Sequence, residues 1–278
     1  MLLDTPDVEA TLATYPLDDT DRPTGRGGIR DSAYRIWAIV RHNLIIRLRD
    51  PGQMISYIAM PMILMLVLKP LYVRAVDGGD VQVVTGLLVM FSVFAIAIAG
   101  NSILVERHWQ TWDRLRQSTA SATEMLLGKT IPIFVLMLLQ QSILLIYGCV
   151  VIGIPVPHSV GYVALAIAVW AFALLAVGAA LSTVARSLGE LGVISDVGAM
   201  VLSSMGGSLV PLSIMPGWAQ AAAHASPGYY ALRMVKAAIR GDASGVLIPA
   251  GILFALGVVA GSYAVWRLAR GWGRARLL

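Results

Sequence analysis

Six long apolar runs dominate this sequence and decide the class of fold that it can adopt. A helix of about 20 residues crosses the roughly 30 Å hydrocarbon core of a bilayer. The runs that reach this length lie near residues 53–75, 81–105, 128–154, 159–185, 191–213 and 246–267. Charged residues make up only 13% of the 278 residues, against about a quarter in soluble domains. The sequence therefore predicts an all-α polytopic membrane protein with six transmembrane helices.

The distribution of basic residues predicts the orientation of these spans. Cytoplasmic connections carry an excess of Lys and Arg. When connections are counted on alternating sides of the membrane, sixteen of the 21 Lys and Arg residues fall on the side of the two termini. We therefore expect a multi-pass protein of the cytoplasmic (inner or plasma) membrane with both termini in the cytoplasm. This bias accounts for the net charge of +5, and we expect no nucleic-acid partner.

The segment before the first span divides into a tail and a helix. Residues 1–30 are rich in Asp, Thr, Pro and Gly, which predicts a disordered acidic cytoplasmic tail. A helical pattern then runs from Asp31 to Asp50. Pro51 ends it, because a proline disfavours helical backbone at the residue before it.

The helix over 31–50 has an imperfect apolar stripe. Its apolar arc is formed by Ala33, Trp37, Val40, Leu44 and Leu48. Arg35, His42 and Arg49 point away from that arc, which predicts an interfacial helix on the cytoplasmic membrane surface. Ile39 and Ile46 interrupt the polar side, so a helix packed only on the protein itself is the alternative.

The cytoplasmic connection over 106–129 is long enough to do more than turn the chain. Trp109, Trp112 and Arg116 recur at helical spacing in its first part. They predict a short amphipathic helix parallel to the membrane.

The second part of that connection opens the third span. Ser121 followed by Glu124 matches a capping box. The stretch Gly128-Lys129-Thr130 resembles the end of a phosphate-binding loop, but such a loop needs glycine at position 123, where the chain has Thr. Any ATPase that drives this protein is therefore expected to be a separate chain.

The other long connection, over 210–245, is predicted to lie outside the cytoplasm. Proline and glycine break it into short apolar pieces, and Trp218, Tyr229 and Tyr230 suit a membrane interface. We interpret it as short re-entrant helices that dip into the outer leaflet before the last span.

The sequence contains no motif that is typical of a metal site or of an enzyme active site. The four histidines lie in separate segments and form no HExxH motif or Cys/His pair. No GxSxG motif is present, and no acids, histidines or nucleophiles share catalytic spacing.

Two features inside the spans are ambiguous. If the fifth helix begins near Leu191, Asp196 lies about one turn inside the boundary. Water or Arg186 can satisfy it there, and a role in transport is the alternative. Gly257 and Gly261 form a GxxxG pattern, a weak indication of a dimer face.

Four stretches together carry a family likeness. RLRDP occupies 47–51. Glu106-Arg107, Thr111 and Asp113-Arg114-Leu115 precede Gly128-Lys129. VPLSIMPGW occupies 210–218, and SPGYYALRMVKAAIRG occupies 226–241. In this order and spacing they resemble the permease subunits of ABC-2-type transporters, especially the daunorubicin-resistance-like permeases of actinobacteria. Residues 31–278 would then form the ABC-2 transmembrane domain.

The resemblance implies a permease subunit of an ATP-binding-cassette exporter that moves a hydrophobic or amphipathic drug, natural product or lipid outward. Two copies of a separate ATPase would hold ATP and magnesium, and a second copy of this permease, or a related one, would complete the transporter. The chain itself would be no enzyme and would bind no cofactor or metal. The residues that would couple to the ATPase are Glu106, Arg107, Trp109, Thr111, Trp112, Asp113, Arg114 and Leu115. Those that mark the re-entrant segment are Pro211, Pro216, Trp218, Pro227 and Tyr229.

Three other functions stay open at this point. One is a transporter or channel that needs no ATPase, another is a polysaccharide-exporting ABC-2 permease, and the third is a structural membrane component without transport activity.

Overall fold

A computed structural model describes residues 28–49, 52–108 and 121–270. The regular structure in these ranges is helical throughout. The helices are α1 (Ile29–Arg49), α2 (Gly52–Ala75), α3 (Gly79–Val93), α4 (Ala95–His108), α5 (Ala122–Tyr147), α6 (Val160–Val184), α7 (Leu188–Met205), α8 (Gly217–Ala223), α9 (Pro227–Arg240) and α10 (Ala243–Ala269). A π-helical turn (Gly148–Ile152) extends α5, and a 3-10 turn (Leu212–Ile214) precedes α8.

Six segments of the described chain have the length and composition to cross a membrane. They are Ile55–Ala75, Gly79–Glu106, Thr123–Ile152, Val160–Val184, Leu188–Met205 and Ala243–Ala269. The second contains α3 and α4, which are separated at Phe94, and the third contains α5 with its π-helical turn. The predicted all-α polytopic membrane fold is confirmed.

Serine caps fix the starts of three spans. The side chain of Ser121 accepts a hydrogen bond from the Glu124 backbone, and the Glu124 carboxylate accepts one from the Ser121 backbone. This is the predicted capping box, so α5 begins well before the predicted position 128. Ser159 and Ser187 cap α6 and α7 in the same way, through one side-chain acceptor each.

The fifth span ends at Met205, short of the predicted position 213. Gly206 and Gly207 stop the helix, and Gly207 has a φ of 86°, a conformation that favours glycine. Apolar character continues to residue 212, which is why hydropathy alone placed the end too late. The chain there leaves the helix and passes over the ends of α3 and α9.

The spans differ in how deeply they are buried within the protein. The span formed by α3 and α4 is central, with 78% of its most apolar window buried. It packs on α6, and α6 packs in turn on α10. By contrast, only 17% of the corresponding window of α2 and 22% of that of α7 are buried. The outer faces of α2 and α7 are therefore available to lipid or to another chain.

Candidate functional site

Few of the residues predicted to couple to an ATPase have a described position. Trp109, Thr111, Trp112, Asp113, Arg114 and Leu115 lie outside the described residues, as does the side chain of Arg107. Glu106, in the last turns of α4, is described. The structure therefore shows the two anchors of this connection, which are the end of α4 and the start of α5.

An ion pair joins these two anchors. Lys129 Nζ lies 2.6 Å from Glu106 Oε1 and donates a second hydrogen bond, of 3.0 Å, to the Ser102 carbonyl. Only 7% of the Lys129 side chain and 20% of the Glu106 side chain are exposed. Glu106 thus faces inward, toward α5.

Glu124, in the first turn of α5, connects α1 to the same end of α5. Its two carboxylate oxygens accept hydrogen bonds from Arg35, of 2.9 Å from Nη2 and 3.2 Å from Nε. Ser32 also donates to this carboxylate. The bonded carboxylate raises the pKa of the Arg35 guanidinium above its usual value. A planar fork of this kind fixes orientation as well as distance.

The face that α1 turns toward the protein includes residues that the sequence pattern placed off its apolar arc, together with Val40 of that arc, which is buried. Arg35 was expected to point away, but it binds Glu124. Ile39 packs beside Gly128 of α5, where a side chain at position 128 would meet its Cγ2 atom at 2.6 Å. Tyr34 and Trp37, on other sides of α1, are 73% and 59% exposed. The helix is thus packed on the protein and keeps an aromatic surface for an interface, so attachment to lipid stays a prediction.

We call Ser32, Arg35, Glu106, Glu124 and Lys129 the α5 junction. These side chains converge on the first turns of α5 and tie α1, α4 and α5 together. Sequence analysis had proposed Glu106 as a coupling residue, which stays a prediction, and had predicted Glu124 as part of a capping box, which is confirmed. It missed the role of Ser32 and Arg35, because their partner is about 90 residues away in the chain. No local pattern reports such a contact.

The second predicted group lies at the opposite end of the bundle. Pro211 precedes the 3-10 turn, Pro216 precedes α8, and Trp218 of α8 is 73% exposed. Pro227 is the first residue of α9, and the ring of Tyr229 contacts that of His224 at a tilt of 47°, with ring centroids 4.5 Å apart. These residues shape short helices, as expected. Their insertion into the outer leaflet stays a prediction.

Asp196 lies deeper in its helix than expected. Because α7 begins at Leu188, Asp196 is about two turns inside it rather than one. Its side chain is exposed on the outer face of α7 beside Val193 and Val197. The Arg186 backbone bonds to Glu190 instead. The proposed pairing of Asp196 with Arg186 is not seen among the described contacts.

Gly257 and Gly261 of α10 face α6 within the chain. A side chain at Gly257 would collide with the ring of Phe172 in α6, so this glycine allows α6 and α10 to approach. Beside this contact, α5, α6 and α10 enclose an apolar groove of about 660 Å³, lined in part by Phe134, Phe172 and Trp266. The close partner of this GxxxG pattern in the structure is therefore α6.

Comparison with known proteins agrees with this architecture. Residues 34–239 match the family described as ABC-2 type transporter. The chain is also similar to the Inner membrane transport permease YhhJ of Escherichia coli (strain K12) and of Shigella flexneri. Each match is 24% identical over 146 residues, which is 51% of this chain and 37% of the relative. The match thus spans little more than a third of these relatives, whereas the family match covers most of the six-span bundle. The chain belongs to the ABC-2 type transporter family.

Proposed function

We propose that this chain is the permease subunit of an ABC exporter that moves a hydrophobic or amphipathic compound outward. ATP and magnesium are held by a separate ATPase, two copies of which bind the complete transporter. The observation that carries this proposal is the α5 junction, at the base of the 109–120 connection in a chain of the ABC-2 family.

The junction gives the connection a mechanical path into the bundle. The Lys129–Glu106 ion pair ties the connection at both ends, and Glu124 passes any movement of α5 to α1. A push on residues 109–120 thus moves α1, α4 and α5 together rather than bending a loose loop. In this proposal, Arg107, Trp109, Trp112 and Arg114 contact the ATPase.

The orientation follows from the distribution of charge. Residues 1–30 and the C-terminus are proposed to be cytoplasmic, so the α5 junction faces the ATPase. Helices α8 and α9 then lie at the outer leaflet, with Trp218 and Tyr229 at the interface.

A second permease, either a copy of this chain or a relative, is proposed to cover α7. A charged side chain in hydrocarbon costs about 2.5–3.5 kcal/mol. Asp196 is exposed on a face that also presents Val193, Val197 and Met200. A partner permease, or a water-filled path between two permeases, removes that cost.

The nature of the cargo is supported by the groove between α5, α6 and α10. Its lining is almost entirely apolar, and it is large enough for a drug-sized molecule. On its motifs, the chain resembles the daunorubicin-resistance-like permeases, and we propose a natural product or lipid as the transported compound. Polysaccharide export fits this apolar lining less well.

Purification from the native membrane in mild detergent tests the proposal. We expect a P-loop ATPase to co-purify and the reconstituted complex to move a fluorescent hydrophobic dye with vanadate-sensitive turnover. Glu124→Gln weakens the attachment of α1 and is expected to lower dye transport about tenfold while ATP hydrolysis continues. Glu190→Gln is the matched control, because Glu190 occupies the corresponding position in α7 and its described contacts lie within its own cap.

Recovery of the chain alone, without ATPase activity, would contradict the proposal. The exposed Asp196 favours an ion-coupled transporter as the second candidate. In that case transport would resist vanadate, depend on an ion gradient and be lost in Asp196→Asn.

A further inference from the structure

A second cavity lies at the opposite end of the bundle from the α5 junction. It has a volume of about 290 Å³ and is lined by Leu212, Tyr229, Leu232, Arg233, Lys236 and Arg240. Five of these six residues belong to α9, and Leu212 comes from the 3-10 turn. We call this cavity the α9 pocket.

Three cationic side chains face this pocket from one helix. Arg233, Lys236 and Arg240 are spaced so that they share a face of α9. Like charges at such spacing destabilise a helix. Burial and the neighbouring Arg240 lower the pKa of Lys236 to about 8. The arrangement therefore carries an electrostatic cost that a bound anion would remove.

The residues lining the pocket include no carboxylate. Arg240 acts electrostatically on the carboxylate of Asp242, which caps α10 by accepting hydrogen bonds from the backbone and hydroxyl of Ser244. Backbone bonding from Gly245, followed by the Ser244 hydroxyl, lowers the pKa of Asp242 below its usual value. Asp242 is thus already engaged, outside the pocket lining.

The walls of the pocket are held by hydrogen bonds to other helices. Lys236 donates to the side-chain oxygen of Gln82 in α3, which is 3% exposed. The Gln82 amide donates in turn to the Gly207 carbonyl at 2.8 Å, and the Tyr72 hydroxyl donates to the Leu209 carbonyl. These bonds hold in place the segment after α7 that leads to Leu212. Lys236 and the segment that carries Leu212 are therefore held in place on two sides of the pocket.

We infer that the α9 pocket binds a phosphate group. Two guanidinium groups offer paired donors that match the oxygens of a phosphate, and an ammonium group adds a point charge. The pocket is too small for a whole lipid but adequate for a headgroup. Leu212, Leu232 and Tyr229 add apolar wall beside the charges, as an amphiphile requires. A soluble phosphate and a phospholipid headgroup share this chemistry.

Two binding measurements distinguish a soluble phosphate from a phospholipid headgroup. The full chain, purified in an uncharged detergent, is titrated with inorganic phosphate by calorimetry. It is also placed in nanodiscs of equal parts phosphatidylcholine and phosphatidylglycerol, and the lipid retained on re-extraction is quantified. Binding of inorganic phosphate assigns a free ligand, whereas selective retention of phosphatidylglycerol without phosphate binding assigns a headgroup.

Exposed arginines provide variants that do not disturb the core. We expect the Arg233→Gln/Arg240→Gln double variant to bind about tenfold more weakly or worse, because each lost guanidinium removes charge-assisted hydrogen bonds. Arg74→Gln, an exposed arginine at the end of α2 and outside the pocket, is expected to bind like the parent.

The inference is wrong if the parent chain binds neither probe, or if the double variant binds as tightly as the parent and Arg74→Gln. Neither measurement needs an ATPase or transport. The result is therefore independent of the proposed function.

Discussion

Two pairs of cationic side chains, at opposite ends of the helical bundle, have different hydrogen-bond partners. At the α5 junction, Arg35 and Lys129 are each paired with a carboxylate from another helix. At the other end, Lys69 and Lys236 donate to neutral oxygens, the carbonyl of Ile152 and the amide of Gln82. An internal ion pair neutralises charge, whereas a neutral acceptor leaves it in place.

This difference separates a mechanical role from a binding role. Paired charges hold helices in register and leave little field for a ligand. Cations on neutral acceptors keep their attraction for anions from outside the chain. The α5 junction thus suits the transmission of movement, and the α9 pocket suits the capture of an anionic group.

The largest expected effect tests whether the two ends lie on opposite sides of the membrane. In a Cys149→Ser background, an impermeant thiol reagent added outside intact cells should label Asp77→Cys fully and Gly28→Cys only after permeabilisation. Both positions are exposed. Gly28 lies just before α1, and Asp77 lies just after α2. The reverse labelling would place the α9 pocket on the cytoplasmic side. It would also contradict the proposal that the ATPase binds at the α5 junction.

Breaking the Glu106–Lys129 ion pair tests whether paired charges hold the helices of the α5 junction together. Glu106→Gln leaves the buried Lys129 ammonium without its carboxylate, which should cost about 3 kcal/mol of stability. Thermal unfolding in detergent would measure this. The double variant Glu106→Gln/Lys129→Met should recover much of the loss, because the unpaired charge is gone. Equal stability of Glu106→Gln and the parent would show that the pair does not hold α4 to α5.

The smallest expected effect concerns pH at the α9 pocket. Lys236 has a pKa lowered to about 8, so it is charged below that pH and neutral above it. The other charged side chains that line the pocket are those of Arg233 and Arg240, and Gln82, which faces Lys236 from α3, carries no charge. Binding of inorganic phosphate should therefore weaken severalfold as the pH rises through about 8.

Arg240→Gln provides the check on that assignment. Removing the neighbouring like charge should raise the pKa of Lys236, so the pH midpoint should move upward although affinity falls. A midpoint that is unchanged in this variant would assign the pH dependence to another group.

Sequence patterns predicted those features that depend on local chemistry. Hydropathy located six spans, because crossing a bilayer demands a long apolar helix. Ser121 and Glu124 predicted their own capping box, since both partners lie within one turn. The family was predicted from motifs in a fixed order and is confirmed over residues 34–239.

Features that depend on distant contacts were not predictable. The pattern placed Arg35 and Ile39 off the apolar arc of α1, because their partners, Glu124 and Gly128, lie in another helix. Ile39 and Ile46 on the polar side were the local sign that favoured the alternative of a helix packed on the protein. The charged face of α9 is readable from its spacing, but Gln82, which holds Lys236, is 154 residues away. The roles of residues 109–115 stay predictions.

The π-helical turn at the end of α5 has a consequence for how this fold tolerates sequence change. Ile152 is the last residue of this turn, and its backbone carbonyl accepts a 2.6 Å hydrogen bond from Lys69 of α2. The acceptor is a backbone atom, so every amino acid at position 152 supplies it. The donor is a side chain, and few residues can replace it. This hydrogen bond therefore restricts the residue at position 69 but not the residue at position 152, where burial of the Ile152 side chain in the core is a separate restriction.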